Sequence, residues 1–169
     1  ASYQVHQQVF DASSSMQSLP TNRLEQIATR PPMVEGSDQE RLNNAVQRQA
    51  AQAILLAREA DPMSYLANNR GISIDTEGMT TDIQNGDWHG IRSRLRSRQA
   101  VANQAHADLG VTPNPLTVTE QRMVRGALDG MLAEQRVAAI SQMREALPNY
   151  SSYRALAQSL YPDSVGSQL

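Results

Sequence analysis

Four arginines, Arg92, Arg94, Arg96 and Arg98, form the densest charge cluster in this 169-residue chain. On a helix they split into two pairs, 92/96 and 94/98, spread over about half of the surface. Such a group could grip the phosphates of DNA or an acidic partner. The ordinary alternative is a solvated face, with Asp87 and Asp108 nearby in sequence to offset it. Of the histidines His6, His89 and His106, no two stand four apart, so no helical zinc pair exists. His106 falls near the apolar positions of its helix and reads as a core or boundary residue. Asp75, Glu77, Asp82 and Asp87 share one stretch but do not match the spacing that a calcium loop needs around its central glycine, and read as loop solvation. There is no cysteine, which excludes disulfides, thiolate metal sites and cysteine nucleophiles. No phosphate-cradling glycine loop, nucleophile elbow or Ser/His/Asp set stands out. Glu35, beside Gly36, carries no catalytic pattern. The residues therefore assign no catalytic, cofactor or metal positions, and the expectation is a non-enzymatic chain. Trp88, the only tryptophan, opens an apolar helix face and is a candidate core residue or interface anchor.

The elements that must position these residues are legible in the composition. The chain is 40% hydrophobic, but alanine dominates and aromatics are only 4%. Closely packed helices suit that mixture better than sheets. All 15 basic residues are arginine, which points either to a G+C-rich genome or to avoidance of lysine modification. The net charge of −2 creates no global positive field for nucleic acid or membrane. The longest apolar run, 53–57, is far too short to span a bilayer, and the N-terminus lacks a signal-peptide pattern.

Along the chain, residues 1–36 read as an arm with a weak helix or extended segment, then a short helix. That short helix is capped by Asn22 with Glu25 and stopped by Pro31-Pro32. Ser37 and Glu40 form a capping box ahead of a long helix over 38–60. Its apolar face is read as Leu42, Val46, Ala50, Ala53, Leu56 and Ala60, with Arg41, Arg48 and Arg58 outside. Asp61-Pro62 ends it and starts a short helix with Met63, Tyr65 and Leu66. Residues 72–86 read as a loop with at most one helical turn. A second long helix covers 88–109, with Ile91, Leu95, Ala102, Ala105 and Leu109 inside and Gly110 closing it. Val111 to Pro115 reads as a rigid turn. Thr117 and Glu120 form another capping box, leading Met123, Ala127, Leu128 and Met131. Val137, Ile140, Met143 and Leu147 follow on a continuous or bent helix. Tyr153, Leu156 and Leu160 mark the last one. The fold class is all-α, with six to eight helices joined by short Pro/Gly-punctuated loops. The helical domain is read over 37–161, with a flexible tail at 162–169.

One ordered pattern resembles a known family. The chain reads R-E-A-D-P-M-S-Y-L from Arg58, then an Arg-rich helix ending A-H-A-D-L-G-V. It continues P-N-P-L-T-V-T-E and closes Y-S-S-Y-R-A-L-A-Q-S-L-Y-P-D-S. Over about residues 58–164 this is similar to a helical module of the internal virion, or ejection, proteins of bacteriophages. The resemblance implies a structural role: packing in the virion interior, delivery into the host envelope on infection, and a share in a conduit for DNA. Its implied partners are other virion proteins or further copies of the chain, with weak DNA contact through the arginines. Many such proteins also carry a lytic transglycosylase domain, which needs a catalytic Glu followed by Ser. Glu35 is followed by Gly36, so that activity does not carry over, although a longer chain could hold it elsewhere. The alternative expectation is a secreted bacterial effector domain that binds a host protein, which the lack of lysine and cysteine would suit.

Overall fold

The computed structural model describes residues 2–162, which form nine helices and no strand. The all-α reading holds, with one helix more than the highest count expected. The flexible tail expected over 162–169 lies, from residue 163 on, outside the described residues. The chain divides into two compact units, one of residues up to 60 together with 108–111, the other of residues 61–107 and those from 112 on.

The first unit holds α1 (Ser2–Met16), α2 (Thr21–Ala28) and α3 (Asp38–Ala60), together with residues 108–111. Both α1 and α2 pack on α3. The capping box at the start of α3 is formed: Ser37 N–H donates to Glu40 Oε2 at 2.7 Å, and Glu40 N–H to Ser37 Oγ at 3.2 Å. The apolar face differs from the expected one in its second half. Val46, Ala50, Ala51, Ile54 and Arg58 are buried, whereas Ala53, Leu56 and Ala60 are exposed. The sequence stripe alternated steps of three and four; the structure keeps to steps of four. Each such step turns the face by about 40°. The buried side thereby swings from α1, whose Gln8 and Ala12 lie beside Val46, to α2, whose Ala28 carbonyl accepts from Gln52. α2 itself starts at Thr21 behind Pro20 and has no side-chain cap, so Asn22 lies inside the helix instead of capping it. Gly110 adopts φ +71°, and a Cβ there would meet the Thr21 side chain at 3.3 Å. Glycine suits that position both for its left-handed backbone and for this close approach.

The second unit holds α4 (Pro62–Asn69), α5 (Thr76–Asn85), most of α6 (Trp88–Leu109), α7 (Val118–Asp129), α8 (Ala133–Ala146) and α9 (Tyr150–Leu160). α7 is the hub, packing on α5, α8 and α9. Its core joins Met79 and Ile83 of α5, Ile91 and Leu95 of α6, and Val124 and Leu128 of α7 to Met143 of α8 and Leu156 of α9. Asp61 caps α4, accepting from Ser64 N–H at 3.2 Å, with Pro62 at the first helical position. The same carboxylate accepts from Val118 N–H at 3.1 Å, tying the start of α4 to the start of α7. The Gly130–Leu132 break separates α7 from α8, so the continuous alternative is not adopted. Val137 is 65% exposed; Ala139, Met143 and Ala146 form the buried side of α8, and Leu147 just after it is buried as well.

α5 is the main correction. Residues 76–85, expected as loop, form a ten-residue helix. Three threonines and Gly78 lower its intrinsic propensity. The buried pair Met79 and Ile83, one turn apart, outweighs that by docking on the core. Asp75 caps its start and the left-handed Gly86 ends it.

Candidate functional site

The arginine cluster sits where three elements of the second unit meet. Along α6 the buried positions are Ile91, Leu95, Arg98, Ala102, Ala105 and Leu109, so Arg98 stands on the core face. Its guanidinium grips Glu120 with both ends, Nη1 to Oε1 at 2.6 Å and Nη2 to Oε2 at 3.0 Å. The remaining bonds go to main-chain oxygens: Nη1 to Pro115 O and Nη2 to Asp75 O, each at 3.2 Å. Glu120 also completes the expected capping box, accepting Thr117 N–H at 2.9 Å while its own N–H donates to Thr117 Oγ1 at 3.2 Å. One ion pair therefore joins the start of α5, the middle of α6, the 111–117 loop and the start of α7.

Arg94 lies one turn earlier and bonds Asp75 and, at 2.6 Å, Asp82. A Cβ on Gly78 would collide with the Arg94 guanidinium and the Asp75 carboxylate, so glycine lets this pair lie directly on the first turn of α5. Asp87 accepts from Gly90 N–H at 2.9 Å at the start of α6. Asp75, Asp82 and Asp87 are thus caps and ion-pair partners rather than loop solvation; Glu77 alone of that set is simply exposed. Arg92 pairs with Glu145 of α8 at 2.9 Å and meets His89 Nδ1 at 2.9 Å. Arg96 is exposed and makes no ion pair among the described residues. Three of the four candidate arginines are therefore engaged by carboxylates of this chain, drawn mostly from far along the sequence.

Comparison with protein-family models, curated proteins and solved structures finds no match. Geometry alone must speak for the site. A cleft of about 250 Å³ opens beside the ion pairs, with Met63, Ile72, Ile74 and Val101 as its apolar walls. Arg94, Asp75, Ser73 and Ser97 supply its polar edge. Nothing in the sequence pointed to this cleft, because Ile72 and Ile74 belong to a stretch that reads only as irregular. Trp88 is half-buried and packs against the core. His6, His89 and His106 are all exposed, so His106 is not a core residue. Its position falls just outside the buried Ala102, Ala105 and Leu109 stripe. No group of His, Asp and Glu among the described residues is placed to hold a metal ion.

The Gly78 N–H and then the Arg94 guanidinium hold the Asp75 carboxyl below the usual carboxylate range. A carboxyl depressed on folding contributes stability that is complete above its unfolded value and is lost as pH falls through its folded value. Acid titration of the helical circular dichroism should therefore show loss below the ordinary carboxylate range. In Asp75→Asn that acid-dependent part should shrink; an unchanged titration would show that Asp75 contributes nothing to it.

Proposed function

We propose that the chain is a non-enzymatic structural module of a phage internal virion protein, helping to build the conduit through which DNA is delivered. The observation that supports an assembly role best is on α1. Val5, Val9, Ala12 and Met16 form its covered side, with Met16 buried. Tyr3 and Phe10, seven residues and about two turns apart, stand together on the other side, 78% and 66% exposed. In a chain so poor in aromatics, two aligned rings directed outward suit docking better than solvation. Engagement of Arg92, Arg94 and Arg98 within the fold leaves Arg96 as the arginine of that cluster open to DNA phosphate, in keeping with weak contact at most.

The proposal is tested by locating the chain during infection. It should be found inside purified particles and then in the host envelope fraction after DNA ejection. Recovery from a secretion supernatant, with secretion genes as neighbours, would instead favour an effector that binds a host protein. Phe10→Ser should change stability by less than about 0.5 kcal/mol, as for other exposed positions. It should reduce incorporation into particles by about tenfold, the equivalent of about 1.4 kcal/mol of lost binding. Normal incorporation would remove α1 from the interface.

A further inference from the structure

We infer that the chain assembles head to tail, the Pro31–Gly36 segment of one copy docking along Gly71–Asp75 of the next. This rests on the assembly reading above and specifies one interface for it. Two unrelated features of the fold fit each other. The first is a receptor. Residues 71–75 run without turn or bend between α4 and α5. The N–H and C=O groups of Ile72 and Ser73 and the N–H of Ile74 have no hydrogen-bond partner among the described residues. Such a row of open backbone groups is a template for an added strand. Beside it lies the 250 Å³ cleft walled by Ile72, Ile74, Val101 and Met63, large enough for an aliphatic side chain.

The second feature is an occupant. Residues 31–36, between α2 and α3, are all exposed, and 31–34 also run without turn or bend. Met33 and Val34 are 43% and 86% exposed, an apolar pair on an exposed segment. No backbone N–H or C=O of residues 31–35 is hydrogen-bonded among the described residues. Pro31 and Pro32 restrict the segment to extended backbone, which lowers the entropy lost when it docks. Val34, β-branched and the more exposed of the two, is the anchor for the cleft. Glu35 follows it, and at the cleft edge the Nη2 of Arg94 donates to no group among the described residues, its Nε and Nη1 being held by Asp82 and Asp75. The pairing thus joins open backbone to open backbone, an apolar side chain to an apolar cleft, and a carboxylate to a free guanidinium edge. Because donor segment and receptor differ, the contact is heterologous: it propagates into rings or filaments, or closes as a reciprocal dimer.

The test uses the whole chain, two side-chain variants at exposed positions and a third variant in the receptor backbone. Val34→Asp spoils the anchor and leaves the cleft intact; Ser97→Arg fills the cleft and leaves the segment intact. Circular dichroism melting of each should match the parent. In sedimentation velocity the parent should associate as its concentration rises, and each variant alone should remain monomeric. An equimolar mixture should form a one-to-one pair and nothing larger, because one intact segment and one intact cleft remain between the two copies. Ser73→Pro, which removes an open N–H without breaking an internal bond, should behave like Ser97→Arg. A parent that stays monomeric at all concentrations, variants that associate as the parent does, or a mixture that fails to pair would each overturn the inference. Those outcomes leave the assembly reading to be decided by particle fractionation, which does not depend on this contact.

Discussion

Glu120→Ala is expected to destabilise the second unit by about 3–5 kcal/mol, the cost of leaving one partner of a buried ion pair uncompensated. Arg98 and Glu120 are 5% and 2% exposed, so removing the carboxylate leaves a guanidinium charge in a place water scarcely reaches. The capping box at α7 is lost as well, since Glu120 holds the Thr117 N–H. Denaturant unfolding followed by fluorescence of Trp88, which packs on this core, reads the change directly. A shift below about 1 kcal/mol would show that the pair does not hold α5, α6 and α7 together. The double variant Arg98→Met with Glu120→Leu should recover most of the loss, because neither charge then has to be desolvated. It should remain short of the parent by about 1 kcal/mol, the usual contribution of a helix cap.

Arg58→Ala should cost the first unit about 3 kcal/mol, in the upper part of the range for hydrogen bonds from a charged group. Arg58 is 3% exposed. Its Nη2 donates to Leu19 O at 2.8 Å and Gln17 O at 3.1 Å, and its Nη1 to Thr21 Oγ1 at 3.1 Å. It thus satisfies carbonyls in the connection that follows α1 and ties them to the first residue of α2. A positive charge near the C-terminal end of a helix is also favoured by the helix dipole. Arg58→Lys should rescue little, because an ammonium on a flexible stem does not reproduce the planar fork that spans these acceptors. Thermal unfolding by far-UV circular dichroism distinguishes the outcomes. A lysine variant as stable as the parent would mean that charge alone matters there.

Both residues show where sequence reading succeeds and where it stops. Local rules gave the punctuation: the Ser37/Glu40 and Thr117/Glu120 capping boxes, Asp61-Pro62 and the left-handed Gly110 all form as their spacing indicates. These depend on atoms within four residues of one another, so the sequence by itself determined the bounds of α3 and α6 and the all-helical class. The roles of the charges were not local. Arg98 and Glu120 are 22 residues apart, and Arg58 and Leu19 are 39. Arginine is ordinarily solvated, so a stripe made only of apolar residues omitted both Arg58 and Arg98. Gly78 read as a loop residue because its propensity is poor, whereas its missing side chain makes room for the Arg94–Asp75 pair on α5. Tertiary structure alone decided that burial with matched partners outweighs propensity at α5, and which carboxylates neutralise the arginines. It alone also decided that Ile72 and Ile74 wall a cleft. Each depends on distant segments converging, and helical periodicity specifies which side of an element is apolar but not what that side will meet.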